Sequence, residues 1–140
     1  GGDLAFAKAV SQQISRSKLH SAPYVVSCDL DLAKKFQSPE MINGNTLTNV
    51  GFYGPQSRKI RIQPAEKNLN EHIASFNFEG HKITNLEMET AGIYAMANLL
   101  GHRAVSLNAI LANRTTGEFS IHPGETVEKL IKFTLDSIVA

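Results

Sequence analysis

Residues 104–112 form a nearly continuous apolar run. Such a run suits a strand covered on both faces, as in a parallel or mixed sheet flanked by helices. This implies an α/β fold class, with a mixed β-sheet between helical layers (α/β/α). The flanking helices are legible by their period. Asp3 caps a first helix running to about Ile14, with Phe6, Val10 and Ile14 on one stripe, and the polar stretch 15–21 breaks the pattern. Residues 29–36 read as a short second helix capped by Ser27 or Asp29. Leu69, His72, Ile73 and Phe76 predict a helix over about 66–75. Ile93, Met96, Ala97 and Leu100 make the apolar stripe of another over 90–100, and Gly101 sits where a left-handed C-cap belongs. A last helix from about Glu125 places Val127, Leu130, Ile131, Leu135 and Ile138 on one face, with Glu125 and Glu128 near its positive end.

Between the helices, Tyr24-Val25-Val26 is strand-like but short. Asn43-Gly44-Asn45 reads as a turn into a strand over 46–50, where Thr46, Thr48 and Val50 are β-branched. Glycine and proline in Gly51-Phe52-Tyr53-Gly54-Pro55 force a loop, after which 58–62 can resume extended structure. Phe76-Asn77-Phe78, Glu79-Gly80 and the run 81–86 predict a β-hairpin in which the two phenylalanines pack. There is no internal repeat, low-complexity tract or linker.

With 140 residues, 42% of them hydrophobic, the chain fits one domain able to bury roughly two-thirds of its unfolded surface. A net charge of +1 provides no broad positive field for nucleic acid or an acidic membrane, so a small neutral ligand fits better. No apolar run approaches the length of a membrane span, and no basic-then-apolar leader is present. Cys28, the only cysteine, has no internal disulfide partner and no cationic sequence neighbour, so it reads as an inert thiol in a reducing, cytoplasmic setting. His20, His72, His81, His102 and His122 lack paired metal-ligand spacing, so no metal is expected; His72 reads as a packed core or rim residue. The opening Gly1-Gly2 in place of a methionine suggests a piece of something longer.

In open α/β sheets, ligands collect beyond the carboxyl ends of strands. Three clusters lie at such ends. Phe52, Gln56 and Arg58 offer an aromatic face, an amide that donates and accepts, and a fixed cation, which match the face, carbonyl and imide groups of a nucleobase. The same residues also fit a glycine-proline turn with a surface arginine. Glu87-Met88-Glu89 joins a strand-like run to a helix-like one. Glu89 can accept from two ribose hydroxyls while Met88 covers the sugar, and Glu87 either joins them or braces the loop. Alternatively, both acids decorate a helix N-terminus, where negative charge is favoured by about 0.3–1 kcal/mol. Asn113-Arg114 follows the apolar run, and its arginine can neutralise charge on a departing base or be a solvated loop residue.

Gly51-Phe52-Tyr53-Gly54-Pro55-Gln56-Ser57-Arg58, Asn85-Leu86-Glu87-Met88-Glu89-Thr90 and Ile110-Leu111-Ala112-Asn113-Arg114 resemble, in order and spacing, the carboxyl-terminal half of the nucleoside phosphorylase family, with the uridine phosphorylase branch the nearest in pattern. The resemblance is clear from about residue 46 to 140 and loose over 1–36. It implies that residues 1–140 are the carboxyl-terminal portion of one nucleoside phosphorylase-like domain. The implied reaction converts uridine and phosphate to uracil and ribose 1-phosphate, with phosphate as co-substrate and no cofactor. On this resemblance Phe52 stacks near base and sugar, Gln56 and Arg58 bind the pyrimidine edge, Glu87, Met88 and Glu89 hold the ribose, and Arg114 binds or neutralises the leaving base. Arg114 and Glu89 are the implied catalytic residues. The implied partners are a pyrimidine nucleoside, phosphate and further copies of the chain, in dimers assembled into hexamers, with no nucleic acid or membrane.

Purine-cleaving relatives resemble this plan but carry an aspartate near the end of the third segment. Asn113-Arg114 stands there instead, and an amide cannot serve as that acid. By the same resemblance, the glycine-rich phosphate loop, the phosphate-binding arginine and the residues donated across the dimer lie in an amino-terminal half without a counterpart here. The isolated chain is therefore expected to lack phosphorolysis and to self-associate through exposed apolar surface. Two other readings remain open: an N-glycoside hydrolase using Glu87 and Glu89, roughly 6–7 Å apart on one strand face, and a non-catalytic remnant that binds nucleoside or a partner chain.

Overall fold

Two short strands, β1 (Asn45–Thr48) and β2 (Ile83–Glu87), lie parallel in the computed structural model, which describes residues 3–14 and 22–139. The polar stretch 15–21 with His20, and Gly1-Gly2, lie outside the described residues. Leu47 stands opposite Leu86 and Thr48 opposite Glu87, so the carboxyl ends of both strands finish together. Parallel neighbours need a long crossover, and α3 (Leu69–Ser75) lies within it.

Helix α1 (Leu4–Gln13) starts where expected, with Asp3 accepting from the Phe6 amide at 2.9 Å. Its stripe packs on α3 and the strand pair. Val10, Ile14, Leu47, Leu69, Ile73 and Phe76 form the buried centre, with Phe6, Phe78, Ile83 and Leu86 packed against it. Ile14 and Phe76 are 0% and 1% exposed. The Phe6 ring lies 5.4 Å from Phe76 and 5.9 Å, edge-on, from Phe78. The Gln13 side chain exchanges two hydrogen bonds with the Asn77 backbone, at 3.0 and 3.2 Å, tying the helix end to the chain that enters β2.

The expected hairpin is present as one backbone bridge, Phe78 to His81, across a two-residue turn. Glu79 and Gly80 both have positive φ, 52° and 84°, which suits a primed turn. Pairing stops there because β2 turns to pair with β1. Gly44 precedes β1 at a close approach, where an added Cβ would lie 1.9 Å from Thr84 Oγ1. A second pair, β3 (Ala112–Asn113) and β4 (Glu118–Phe119), is antiparallel. Asn113 Oδ1 accepts from the Thr115 and Thr116 amides at 2.9 and 3.3 Å, and Gly117 takes φ 74° to close the turn.

The fold class is α/β, but parallel and antiparallel pairing occur in two separate two-stranded sheets. The largest departure from expectation is the apolar run. Residues 104–111 form no strand, and the run is only half-buried, with Ile110 56% exposed. Its backbone is tied at Ala104, whose carbonyl accepts from the Asp29 amide, and at Leu111, whose carbonyl accepts from the Ser120 amide. Apolar composition drives burial, but a strand also needs a neighbouring backbone ladder, and β2 pairs with β1 instead. Residues 24–26 and 58–62 likewise form no strand, and the latter run through bends.

Asp29 caps α2 (Leu30–Lys34), accepting from the Leu32 amide at 2.6 Å. Helix α4 (Thr90–Leu100) ends at Gly101 with φ 72°, as its cap signal predicts. Its stripe residues Ile93, Met96 and Leu100 are exposed, as are Ile131, Leu135 and Ile138 of α5 (Pro123–Val139). Periodicity sets which residues share a face, not what covers that face. Val105 and Leu107 face Leu130, Ile131, Thr134 and Leu135 of α5 across an open apolar groove of about 350 Å³. Among the described residues no helix is long and apolar enough to cross a membrane.

Candidate functional site

The carboxyl ends of β1 and β2 lead into two groups of polar side chains. After β1, Asn49 is buried; its amide donates to the Glu87 carbonyl at 2.8 Å. The chain then enters a single 3-10 turn, Gly54–Gln56, with Pro55 in its first positions. Ser57 takes a left-handed φ of 59°, and the Arg58 amide returns to the Tyr53 carbonyl at 2.9 Å. This reversal folds Arg58 over the start of its own loop. Its guanidinium carbon lies 3.5 Å from the centre of the Phe52 ring, while Nη1 donates to the Phe52 carbonyl and, at 2.8 Å, to Gln56 Oε1. A cation over a ring at such a site contributes about 0.5–1 kcal/mol.

Arg114 arrives from the β3–β4 turn, 58 positions along the chain. Nη1 donates to the Gln56 carbonyl at 2.6 Å and Nη2 to Gln56 Oε1. Gln56, only 4% exposed, thus becomes the hub on which both arginines converge. Burial, and then the charge of Arg58, lower the Arg114 pKa from its ordinary value. A guanidinium starts so high that it remains a cation. Among the described residues neither guanidinium lies in salt-bridge reach of a carboxylate; the lysine–carboxylate pairs are Lys34–Asp31 and Lys132–Asp136. The cluster therefore carries uncompensated positive charge.

The second group is Glu87-Met88-Glu89. Glu87 accepts from the Thr48 hydroxyl through one oxygen, and through the other from the Glu89 and Thr90 amides at 2.7 and 2.6 Å. It fastens the end of β1 to the start of α4, the bracing role foreseen as one option for this residue. Burial alone would raise its pKa. The hydrogen bonds from Thr48 and the two amides outweigh burial and hold the carboxyl below its ordinary value. Met88 and Glu89 are exposed, and among the described residues Glu89 Oε2 accepts only from the Met88 amide, at 3.2 Å. Glu89 is thus the carboxylate with capacity for an outside donor.

The contacts unite the first and third clusters through Gln56. Met88 and Glu89 follow β2, whose carboxyl end finishes level with that of β1, and no hydrogen bond among the described residues links them to the Gln56 cluster. Several supporting residues were not singled out from sequence. Thr48 donates to Glu87 while accepting from the Ala91 amide at 3.0 Å. Thr90 bonds Ser106 at 3.3 Å, and the Ser106 amide donates to the Tyr94 hydroxyl at 2.7 Å, which anchors the apolar run beside α4. Only the alternation of Thr46 and Thr48 into the loop could have pointed to Thr48. Among the described residues no three His, Cys, Asp or Glu side chains converge in a metal-holding group.

Over 132 residues the chain is 32% identical to a uridine phosphorylase of Thermococcus kodakarensis, an alignment covering 84% of this chain and 44% of that relative. It is 24% identical to a DeoD-type purine nucleoside phosphorylase of Colwellia psychrerythraea, covering 97% of this chain and 55% of the relative. The chain thus spans about half the length of the curated relatives it matches. No protein-family model and no solved structure matches it. With three strand-end motifs in order and two relatives of one enzyme class, the chain is similar to part of a nucleoside phosphorylase, consistent with a partial member of that family.

Proposed function

We propose that these residues supply the base and ribose sites of a pyrimidine nucleoside phosphorylase acting on uridine. The observation that carries this reading is the convergence of Arg58 and Arg114 on Gln56 beside the Phe52 ring, at the same sheet edge as Glu89. In phosphorolysis a phosphate oxygen bonds to the sugar's anomeric carbon as the carbon–nitrogen bond breaks, and the bonding pair leaves with the base. The sugar becomes cationic and the base anionic as the bond lengthens. N–H donors already held in place stabilise that anion without reorganising, a contribution of order 10²–10³ in rate per donor. Arg114 and Arg58 supply them, Glu89 holds the ribose hydroxyls, and Met88 covers the sugar. Phosphate is the co-substrate, and its site lies outside the residues assigned here. Cytoplasmic location and dimer-based assembly belong to the same reading.

The purine-cleaving relative keeps a purine reading in view, but Asn113 is an amide that cannot protonate a purine ring, and Glu118, opposite it in the β3–β4 pair, has one oxygen accepting from the Thr116 hydroxyl. A hydrolytic reading needs a free carboxylate base near the sugar. Glu87 has both oxygens committed and a lowered pKa, which leaves it poorly suited, so the hydrolytic reading falls to Glu89, the same carboxylate that the phosphorylase reading gives to the ribose hydroxyls. The test has two arms: calorimetry of the chain with uridine and with inosine, and release of uracil from uridine with and without phosphate in a protein that carries these residues. Uridine binding with phosphate-dependent release supports the proposal. Tighter inosine binding, or release without phosphate, refutes it.

A further inference from the structure

We infer that Asn43 is a site of spontaneous modification by water, its side-chain amide becoming an aspartyl or isoaspartyl carboxylate after attack by the Gly44 backbone nitrogen. Asn43 is the one asparagine in the chain that a glycine follows. At every other asparagine the next residue carries a side chain, which hinders the approach of its nitrogen to the amide carbon. Asn43 and Gly44 are both exposed and directly precede β1, whose ladder begins only at Asn45. Among the described residues neither the Asn43 side chain nor the Gly44 amide makes a hydrogen bond, so neither reacting group is held back. The glycine is also fixed by the fold. An added Cβ would lie 1.9 Å from Thr84 Oγ1, so packing against the β2 side demands at position 44 the residue that leaves Asn43 most open to attack.

The reaction balances with solvent water as its co-reactant. The Gly44 nitrogen loses its proton to base and bonds to the side-chain carbonyl carbon of Asn43. The carbon–nitrogen bond of the side-chain amide breaks, and its nitrogen takes up a proton and leaves as ammonia. Water then opens the cyclic imide at either carbonyl, with nothing oxidised or reduced. Opening at the side-chain carbonyl gives an ordinary aspartyl residue, and opening at the main-chain carbonyl leaves the backbone running through the side-chain carbons, as isoaspartate. Either product takes the formal charge of the chain from +1 to 0. The isoaspartyl form also lengthens the backbone by one carbon–carbon bond, about 1.5 Å. Gly44 has no space to shift toward Thr84, so the extra length falls on Asn45. That residue donates from Nδ2 to the Lys82 carbonyl at 2.9 Å, and its own carbonyl accepts from the Thr84 hydroxyl at 3.4 Å. The modification therefore loosens the start of the β1–β2 pair.

Ageing the folded chain at mildly alkaline pH tests this, read by peptide mapping in a mass spectrometer and by an isoaspartyl-specific methyltransferase. The peptide holding Asn43 should gain the mass difference between a hydroxyl and an NH2 group before any other asparagine peptide. Its rate should rise with pH, because the attacking nitrogen must lose a proton, and Asn43→Gln should abolish the change. If position 43 stays intact in the folded chain but is modified in urea, the fold keeps the two groups apart and the inference is wrong. Earlier modification at another asparagine also overturns it. The modified fraction, separated from the parent by ion exchange and carrying the isoaspartyl label, should melt about 3–5 °C below Asn43→Asp, the shift expected for one lost hydrogen bond in a chain of this length. Asn43→Asp carries the same charge on an ordinary backbone, so equal melting of the two refutes the loosening of β1.

Discussion

Replacing Glu87 by glutamine tests the brace between the end of β1 and the start of α4. The carboxylate accepts three hydrogen bonds, from the Thr48 hydroxyl and from the Glu89 and Thr90 amides. Glutamine keeps the shape and one acceptor oxygen. If that oxygen serves the two amides, the new NH2 faces Thr48, whose hydroxyl can accept from it. What disappears is charge. Hydrogen bonds to charged groups contribute about 1.5–3 kcal/mol against about 0.5–1.5 kcal/mol for neutral ones, and a negative charge at a helix start adds about 0.3–1 kcal/mol. Glu87 is only half-buried, so solvent screening places the loss at the lower end, about 1 kcal/mol. Glu87→Ala also strands the amide of buried Thr90, and should cost about 2–3 kcal/mol. For a chain of this length 1 kcal/mol corresponds to about 3–5 °C in Tm.

The pH dependence gives the sharper test. A carboxyl held below its ordinary pKa contributes stability that is present above the unfolded-state value and lost as pH falls through the folded-state value. The Tm gap between the unmodified chain and Glu87→Gln should therefore be full near neutrality and close below about pH 4. Thermal unfolding followed by circular dichroism at both pH values measures it. A Glu87→Gln chain as stable as the parent at neutral pH, or a gap that persists in acid, refutes the brace. If nucleoside binding were lost instead with stability intact, Glu87 would be a ribose ligand.

In Gly44→Ala the added Cβ falls 1.9 Å from Thr84 Oγ1, so stability should drop by about 1–3 kcal/mol, with partial recovery when Thr84→Ala is combined; urea midpoints report both. Phe76→Ala empties a site that is 1% exposed and removes the partner of Phe6, at a cost of about 3–5 kcal/mol in the same assay, and a loss under 1 kcal/mol would mean that the core lies elsewhere. In the protein that cleaves uridine, Arg114→Ala should lower the rate constant by about 10²–10³-fold, and an unchanged rate removes Arg114 from the mechanism.

Much of the local structure is legible in short stretches of residues. Asp3 and Asp29 mark helix starts because each side chain reaches an amide three residues ahead. Gly101 marks an end because a left-handed φ is cheapest without a Cβ. The Glu79-Gly80 turn is legible for the same reason, and the loop at Gly51 to Arg58 through Pro55, which stands in the first positions of its 3-10 turn. The three strand-end motifs also carry the resemblance to nucleoside phosphorylases, with which the two curated relatives agree. What sequence could not supply was which distant groups meet. Residues 104–112 carry the composition of a buried strand, yet a strand exists only where another backbone offers a ladder, and among the described residues only Ala112, at the end of the run, pairs in one.

The site divides in the same way. Residue type alone determined that Gln56, Arg58, Arg114, Met88 and Glu89 have the chemistry to hold a base and a sugar. Only the tertiary structure decided their use: Arg114 crosses 58 positions to seize Gln56, and Thr48 from a parallel neighbour helps turn Glu87 into a brace. Caps and turns are settled by atoms a few bonds apart. The direction an amide faces, or whether a carboxylate has a lone pair to spare, depends on donors that folding alone brings within 3 Å.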